Sequence, residues 1–265
     1  MTITPDFAAA LRTESAAFRT ALQTAEPDAP VPSCPDWSAT DLLWHLTEVQ
    51  WFWGQVVAHD VRDPQSLDRP ERPADLADLF AMYDDAGEHL QAALQALPDA
   101  TERWMWTADP ALHTAGYIRR RQAHEALVHR VDAELVARQP VSVIDAALAA
   151  DGIDEVVHVM YGREHALLTF APTQGQVVRI AATDASVAWT LQLGRERGVI
   201  PESGEHIDDA NFRPVDDIAS AATVSGTVAD LDLWLWNRPT SGQLTRSGDS
   251  DALQALDEIL AAGLQ

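Results

Sequence analysis

Apolar residues recur at helical spacing in four stretches of the N-terminal half. Phe7, Leu11, Phe18 and Leu22 sit on adjoining turns of residues 5–24, which predicts a first amphipathic helix. Ser38, with Asp41 three residues on, marks a capped helix start, and that helix is expected to run to about residue 59. Within it Leu42, His45, Val49, Phe52 and Val56 follow the 3-4-3-4 spacing of a buried face. Residues 74–96 and about 115–138 predict two more helices. Pro-rich loops (26–37 and 61–73) and a tryptophan-bearing connection (100–114) separate the four. Four helices with moderate loops predict a helical bundle.

The period then changes. QPVSV at 139–143 is the natural boundary, giving a bundle over 1–140 and a second domain over 141–265. After a helix at 145–160, residues 166–172, 176–182 and 186–193 read as short strands between turn residues. A strand at 220–226, a helix at 227–236, a strand near 244–248 and a helix from 251 complete the pattern. The fold class is therefore α+β in two domains, the second with a mostly antiparallel sheet. No phosphate-cradling glycine loop and no GxSxG elbow occurs.

Charge narrows the partners. The chain carries 41 acidic and 18 basic residues, for a formal net charge of −23, and every base is arginine. Such a surface repels phosphate backbones and anionic lipid, so neither nucleic acid nor membrane is an expected partner. No apolar run approaches the roughly 18–20 residues of a membrane span, and a cytoplasmic protein is expected. Cys34 is the only cysteine, so a metal, if bound, takes His, Asp or Glu ligands.

Two places carry candidate chemistry. His45 lies in the middle of an apolar stripe, where an imidazole needs either a hydrogen bond in the core or something to bind. The fourth helix contains AHEALVHRVDAE. His124 and His129 are five residues apart and point about 140° away from each other, too far to share a small ion. Glu125 and His129 are four apart and face one point, and Asp132 extends their strip. That strip is either a solvated polar edge or an inward-facing site. In the second case Glu125 and His129 stand opposite His45, and three N/O ligands with one open position form a catalytic zinc pattern.

Three segments, CPDWSATDLLWHL, RRRQAHEALVHRVDAE and VADLDLWLWNR, resemble motifs of the mycothiol-dependent maleylpyruvate isomerase family, in the same order. The resemblance spans nearly the whole chain and implies a DinB-like four-helix bundle followed by a smaller α/β domain. It implies zinc on His45, Glu125 and His129, and an active-site arginine at Arg238, which on its position alone is equally a helix-end arginine satisfying carbonyls. It also implies mycothiol as thiol cosubstrate. In that chemistry the thiolate adds to a cis double bond, Arg238 holds the substrate carboxylate, and rotation and elimination give the trans isomer. The same equipment serves a mycothiol S-transferase that stops at the adduct. A non-enzymatic metal-binding stress module is the third reading, and the second domain with Arg238 counts against it. The expected partners are a small thiol and a small electrophile, with the chain a monomer or homodimer. Arg119, Arg120 and Arg121 read as a solvated face rather than as binders of an anionic substrate, and Asp132 either orients His129 or pairs with Arg130 or Arg138 at the surface. Val131, where many relatives carry an aromatic, and the loop over 103–115 are expected to border the substrate pocket.

Overall fold

The computed structural model describes residues 4–162, 167–201, 204–216 and 218–263. They form two compact units, Pro5–Val143 and one built on Ile144–Gln265.

The first unit holds helices α1 (Phe7–Leu22), α2 (Ala39–His59), α3 (Leu76–Gln95) and α4 (Ala115–Val136). Each start has a side-chain cap: Asp6, Ser38, Asp75 and Thr114 accept hydrogen bonds from backbone N–H groups of the first turn. At Ser38 the capping box is complete, because Asp41 also accepts from the Ser38 N–H at 2.8 Å. α1 packs mainly on α4 and α2 mainly on α3. Phe18, Leu43, Leu46, Leu79, Tyr83 and Val136 are among the residues that fill the core.

The buried face of α2 is rotated by one residue from the expected stripe. Leu42 and Val56 are fully buried, but His45, Val49 and Phe52 are only partly so. The spacing Leu43, Leu46, Gln50, Trp53, Val57 is the one that faces inward. His45 therefore lies on the flank of the helix, where its ring has a core side and a solvent side.

Of the two readings of the α4 strip, the helix follows the inward-facing one. It is buried on nearly every face, although Arg121, Gln122, His124, His129, Arg130, Asp132 and Glu134 all lie on it. Buried polar groups need partners, so a helix with this composition has to be surrounded by other polar groups. Arg130 shows how this is met. Its side chain is 1% exposed and donates to Glu14 at 2.7 Å and to Glu134 at 2.8 Å. It pairs with these rather than with Asp132 at the surface.

The Pro-rich segment expected as loop contains a small hairpin, β1 (Pro30–Val31) with β2 (Cys34–Ser38). The second unit begins with α5 (Ala146–Glu155), which runs into a π-helical turn over Val156–Tyr161. Its sheet has the order β5-β4-β3-β6-β7, built from β3 (Leu168–Ala182), β4 (Ala188–Ile200), β5 (Glu205–Pro214), β6 (Ala222–Gly226) and β7 (Thr245–Gly248). Only the β3–β6 pair is parallel. The two expected strands at 166–172 and 176–182 are one strand, β3, whose register shifts between Pro172 and Val177; Ala166 lies outside the described residues. β5 was not expected. It is an edge strand with the polar sequence EHIDDANFRP, and of its side chains only Phe212 is fully buried. Helices α6 (Val228–Leu235) and α7 (Ser250–Ala261) complete the unit.

Candidate metal centre

The two places singled out in the sequence meet in the first unit. His45 comes from the flank of α2, and Glu125 and His129 come from successive turns of α4. Nε2 of His45 and Nε2 of His129 each lie 3.3 Å from the same oxygen, Glu125 Oε1. One ligand atom from each of the three lies within 4.8 Å of the others. The imidazole rings stand edge to face, 4.7 Å apart at 74°.

Other polar groups fix this geometry. His129 Nδ1 donates to Asp132 Oδ2 at 2.9 Å, and Asp132 Oδ1 accepts from the Ser33 hydroxyl. Asp132 is fully buried, so of its two expected roles it takes the one toward His129. The other carboxylate oxygen of Glu125, Oε2, accepts from Arg121 Nη2 at 2.8 Å. Trp37 lies over the pair, 4.7 Å from the His45 ring and 6.3 Å from that of His129. The cluster keeps a solvent side, since the His45 side chain is 31% exposed.

Electrostatics favour positive charge at this point. Burial works to lower the His129 imidazole, but hydrogen bonds to Asp132 and Glu125, with their charges, outweigh it and raise its pKa to about 9. Burial works to raise the Glu125 carboxyl. Hydrogen bonds from His129 and His45 and the Arg121 charge outweigh that and hold it well below the usual carboxylate range.

The donor set fits a divalent cation. Asp132 occupies the Nδ1–H of His129, which leaves Nε2 as the nitrogen that faces the cluster, an arrangement common to metal-bound histidines. Two imidazoles and a carboxylate suit zinc or a similar borderline ion. Cys34 is half-buried on β2 and is not in the cluster. His124 also stays out of it, packed edge-on against Phe7 at 5.9 Å.

Residues 8–134 match the family model of the mycothiol maleylpyruvate isomerase N-terminal domain, and residues 147–255 match that of the MDMPI C-terminal domain. The chain belongs to the mycothiol-dependent maleylpyruvate isomerase family.

Two solved structures share the fold of this family member. The crystal structure of the mycothiol-dependent maleylpyruvate isomerase superposes with a TM-score of 0.57 at 12% identity, covering 92% of this chain and 93% of that chain. A histidine-to-alanine mutant of that isomerase gives 0.56 at 10% identity with the same coverage. No curated protein matches the chain by sequence. No helix among the described residues is long and apolar enough to cross a membrane.

Three site neighbours were missed or misplaced in the sequence. Arg121 was assigned to a solvated face, yet its side chain is 6% exposed and bonded to Glu125; the i,i+4 spacing of the two was the available signal. Ser33 gave no signal, since its partner Asp132 is 99 residues away. Val131 is fully buried and belongs to the core rather than to a pocket border. In the loop, Trp104 stacks on Trp53 at 5.9 Å and meets Phe52 edge-on.

Arg238 belongs to the second unit and follows a well-defined helix end. Asn237 adopts a left-handed conformation (φ 57°), its N–H donates to Trp234 O, and the Arg238 N–H donates to Leu233 O at 2.8 Å. This is the Schellman pattern, with Pro239 just beyond it. The Arg238 side chain is half-buried, and its Nη1 donates to Trp236 O at 2.7 Å.

Proposed function

We propose that this chain is a zinc- and mycothiol-dependent enzyme that isomerises an electrophilic cis double bond to trans through thiol addition. The observation supporting this reading is the convergence of His45, Glu125 and His129 on one point, with both histidine nitrogens 3.3 Å from Glu125 Oε1. His45, Glu125 and His129 would hold the zinc, and the ion would supply the charge that makes a thiol, mycothiol in this family, a nucleophilic thiolate. In holding the ion, His45 and His129 would each give a neutral ring nitrogen and Glu125 one negative charge. Asp132 holds the His129 ring in its tautomer and orientation. Trp37 presents an apolar face beside both histidines and limits water there. Arg238 is proposed, on the family resemblance, to receive the substrate carboxylate, for which a planar guanidinium offers two parallel donors.

Incubating the zinc-loaded protein with mycothiol and maleylpyruvate tests the reading. Accumulation of the trans isomer is expected. A persistent thiol adduct would make the protein an S-transferase instead, and neither product would overturn the thiol chemistry altogether. Elemental analysis checks the metal separately: about one zinc per chain is expected, with near-complete loss in His129→Ala.

A further inference from the structure

The carboxylate of Glu125 is divided between two tasks. Oε1 faces both histidines, whereas Oε2 accepts from Arg121 at 2.8 Å. Arg121 lies one turn before Glu125 on the same helix, and burial leaves its guanidinium little freedom to turn away to solvent. A carboxylate with both oxygens available can chelate a cation with two bonds. Here one of the two is already engaged by a charge-assisted hydrogen bond, the stronger kind.

We propose that Arg121 is a positioning residue that restricts Glu125 to one metal bond and so preserves the open coordination position. The proposal rests on the metal centre described above. Charge points the same way. A dication beside the single Glu125 carboxylate leaves one positive charge, and the Arg121 guanidinium bonded to that carboxylate adds to the positive potential. The centre then has room, in geometry and in charge, for one anionic ligand. Without Arg121, Glu125 adds its second oxygen to the ion, which raises the coordination number and crowds that position.

The sign of the effect on affinity separates this role from ordinary support. Losing a partner that merely orients a ligand weakens metal binding by about 10- to 100-fold. Losing Arg121 removes a nearby cation and frees an oxygen, so binding should tighten by about tenfold.

Cobalt(II) in place of zinc, in the full chain, provides the readout. The wild type should show the intense visible bands of four-coordinate cobalt. Arg121→Met should show the weak bands of higher coordination and a lower Kd, and Arg121→Lys, which keeps charge and a donor, should return toward the wild-type spectrum. A wild-type spectrum or weaker binding in Arg121→Met overturns the proposal. Should Arg121→Met fail to fold, X-ray absorption of the cobalt-loaded wild type decides. One carboxylate oxygen from Glu125 supports the proposal and two overturn it. Failure of the underlying metal reading looks different: cobalt uptake by the wild type that is absent, or unchanged in His129→Ala, removes the centre itself and the proposal with it.

Discussion

His129 Nδ1 and Asp132 Oδ2 form a 2.9 Å pair on one face of α4, with the carboxylate fully buried and also accepting from the Ser33 hydroxyl. The pair leaves Nε2 of His129 facing Glu125 and His45. Asp132→Asn keeps the shape and removes the charge. Its zinc affinity, measured by competition with a chromophoric chelator, should fall by about 10- to 100-fold. An unchanged Kd would make Asp132 a residue of the fold alone.

Metal should also raise stability. The ligands come from α2 and α4, so binding favours the folded chain, by about 2.7 kcal/mol when free zinc stands at a hundred times its Kd. Chelation should lower the Tm of the wild type and leave that of His129→Ala in place. Calorimetric scans with and without chelator check this, and equal shifts in both proteins would place the metal elsewhere.

Arg130 offers a test within the same helix that does not depend on metal. Its guanidinium is 1% exposed between Glu14 and Glu134, so Arg130→Met leaves two carboxylates without their counter-ion. The expected loss is about 3–5 kcal/mol of unfolding free energy in urea titration. Adding Glu14→Gln and Glu134→Gln should recover part of it, and a loss below 1 kcal/mol would contradict the pairing.

The helices of the bundle were legible because apolar spacing and caps agree there: Ser38 with Asp41 fixed the start of α2 to the residue. The pairing of His45 with Glu125, 80 residues apart, was carried by the motifs, since spacing gives no contact between helices. The face of α2 was misjudged by one position because Thr47 and Gln50, both fully buried, look polar in sequence. Arg121 reads as outward for the same reason: charge signals exposure only when no partner waits inside, and its partner Glu125 is partly buried with it by the fold. β5 stayed hidden because an edge strand needs little apolar pattern.

Asp230, in the second unit, gives a pH dependence of its own. Its carboxylate is 4% exposed and accepts from the Thr227 hydroxyl at 2.7 Å, the Ser241 N–H at 2.7 Å and the Gly242 N–H at 3.1 Å. Burial works to raise its pKa, and these bonds outweigh it and lower it from the ordinary 3.8. The resulting stability is present in full above pH 3.8 and is lost as pH falls through the lower folded value. Asp230→Asn should therefore cost about 1–3 kcal/mol near neutral pH, and its deficit should shrink as acid is added. A deficit constant down to pH 2 would refute the assignment.

Arg238→Lys separates a chemical role from a helix-end role. The helix end uses the backbone N–H of this residue, which lysine retains. Zinc content, thiol affinity and Tm should stay, while turnover falls roughly 10²-fold if the guanidinium fork acts in the transition state. Turnover within about twofold of the wild type would leave Arg238 a helix-end residue only.

Because α1 pairs chiefly with α4 and α2 with α3, the first unit is two helical hairpin-like layers meeting along a seam, and His45 stands on one side of it with Glu125 and His129 on the other. An ion held by all three would tie the two layers together at the line where α2 meets α4. Opening along that line and release of the ion become one event. Slow amide exchange in α2 and α4 would then track metal occupancy together, although all of α3 lies between the two helices in the chain.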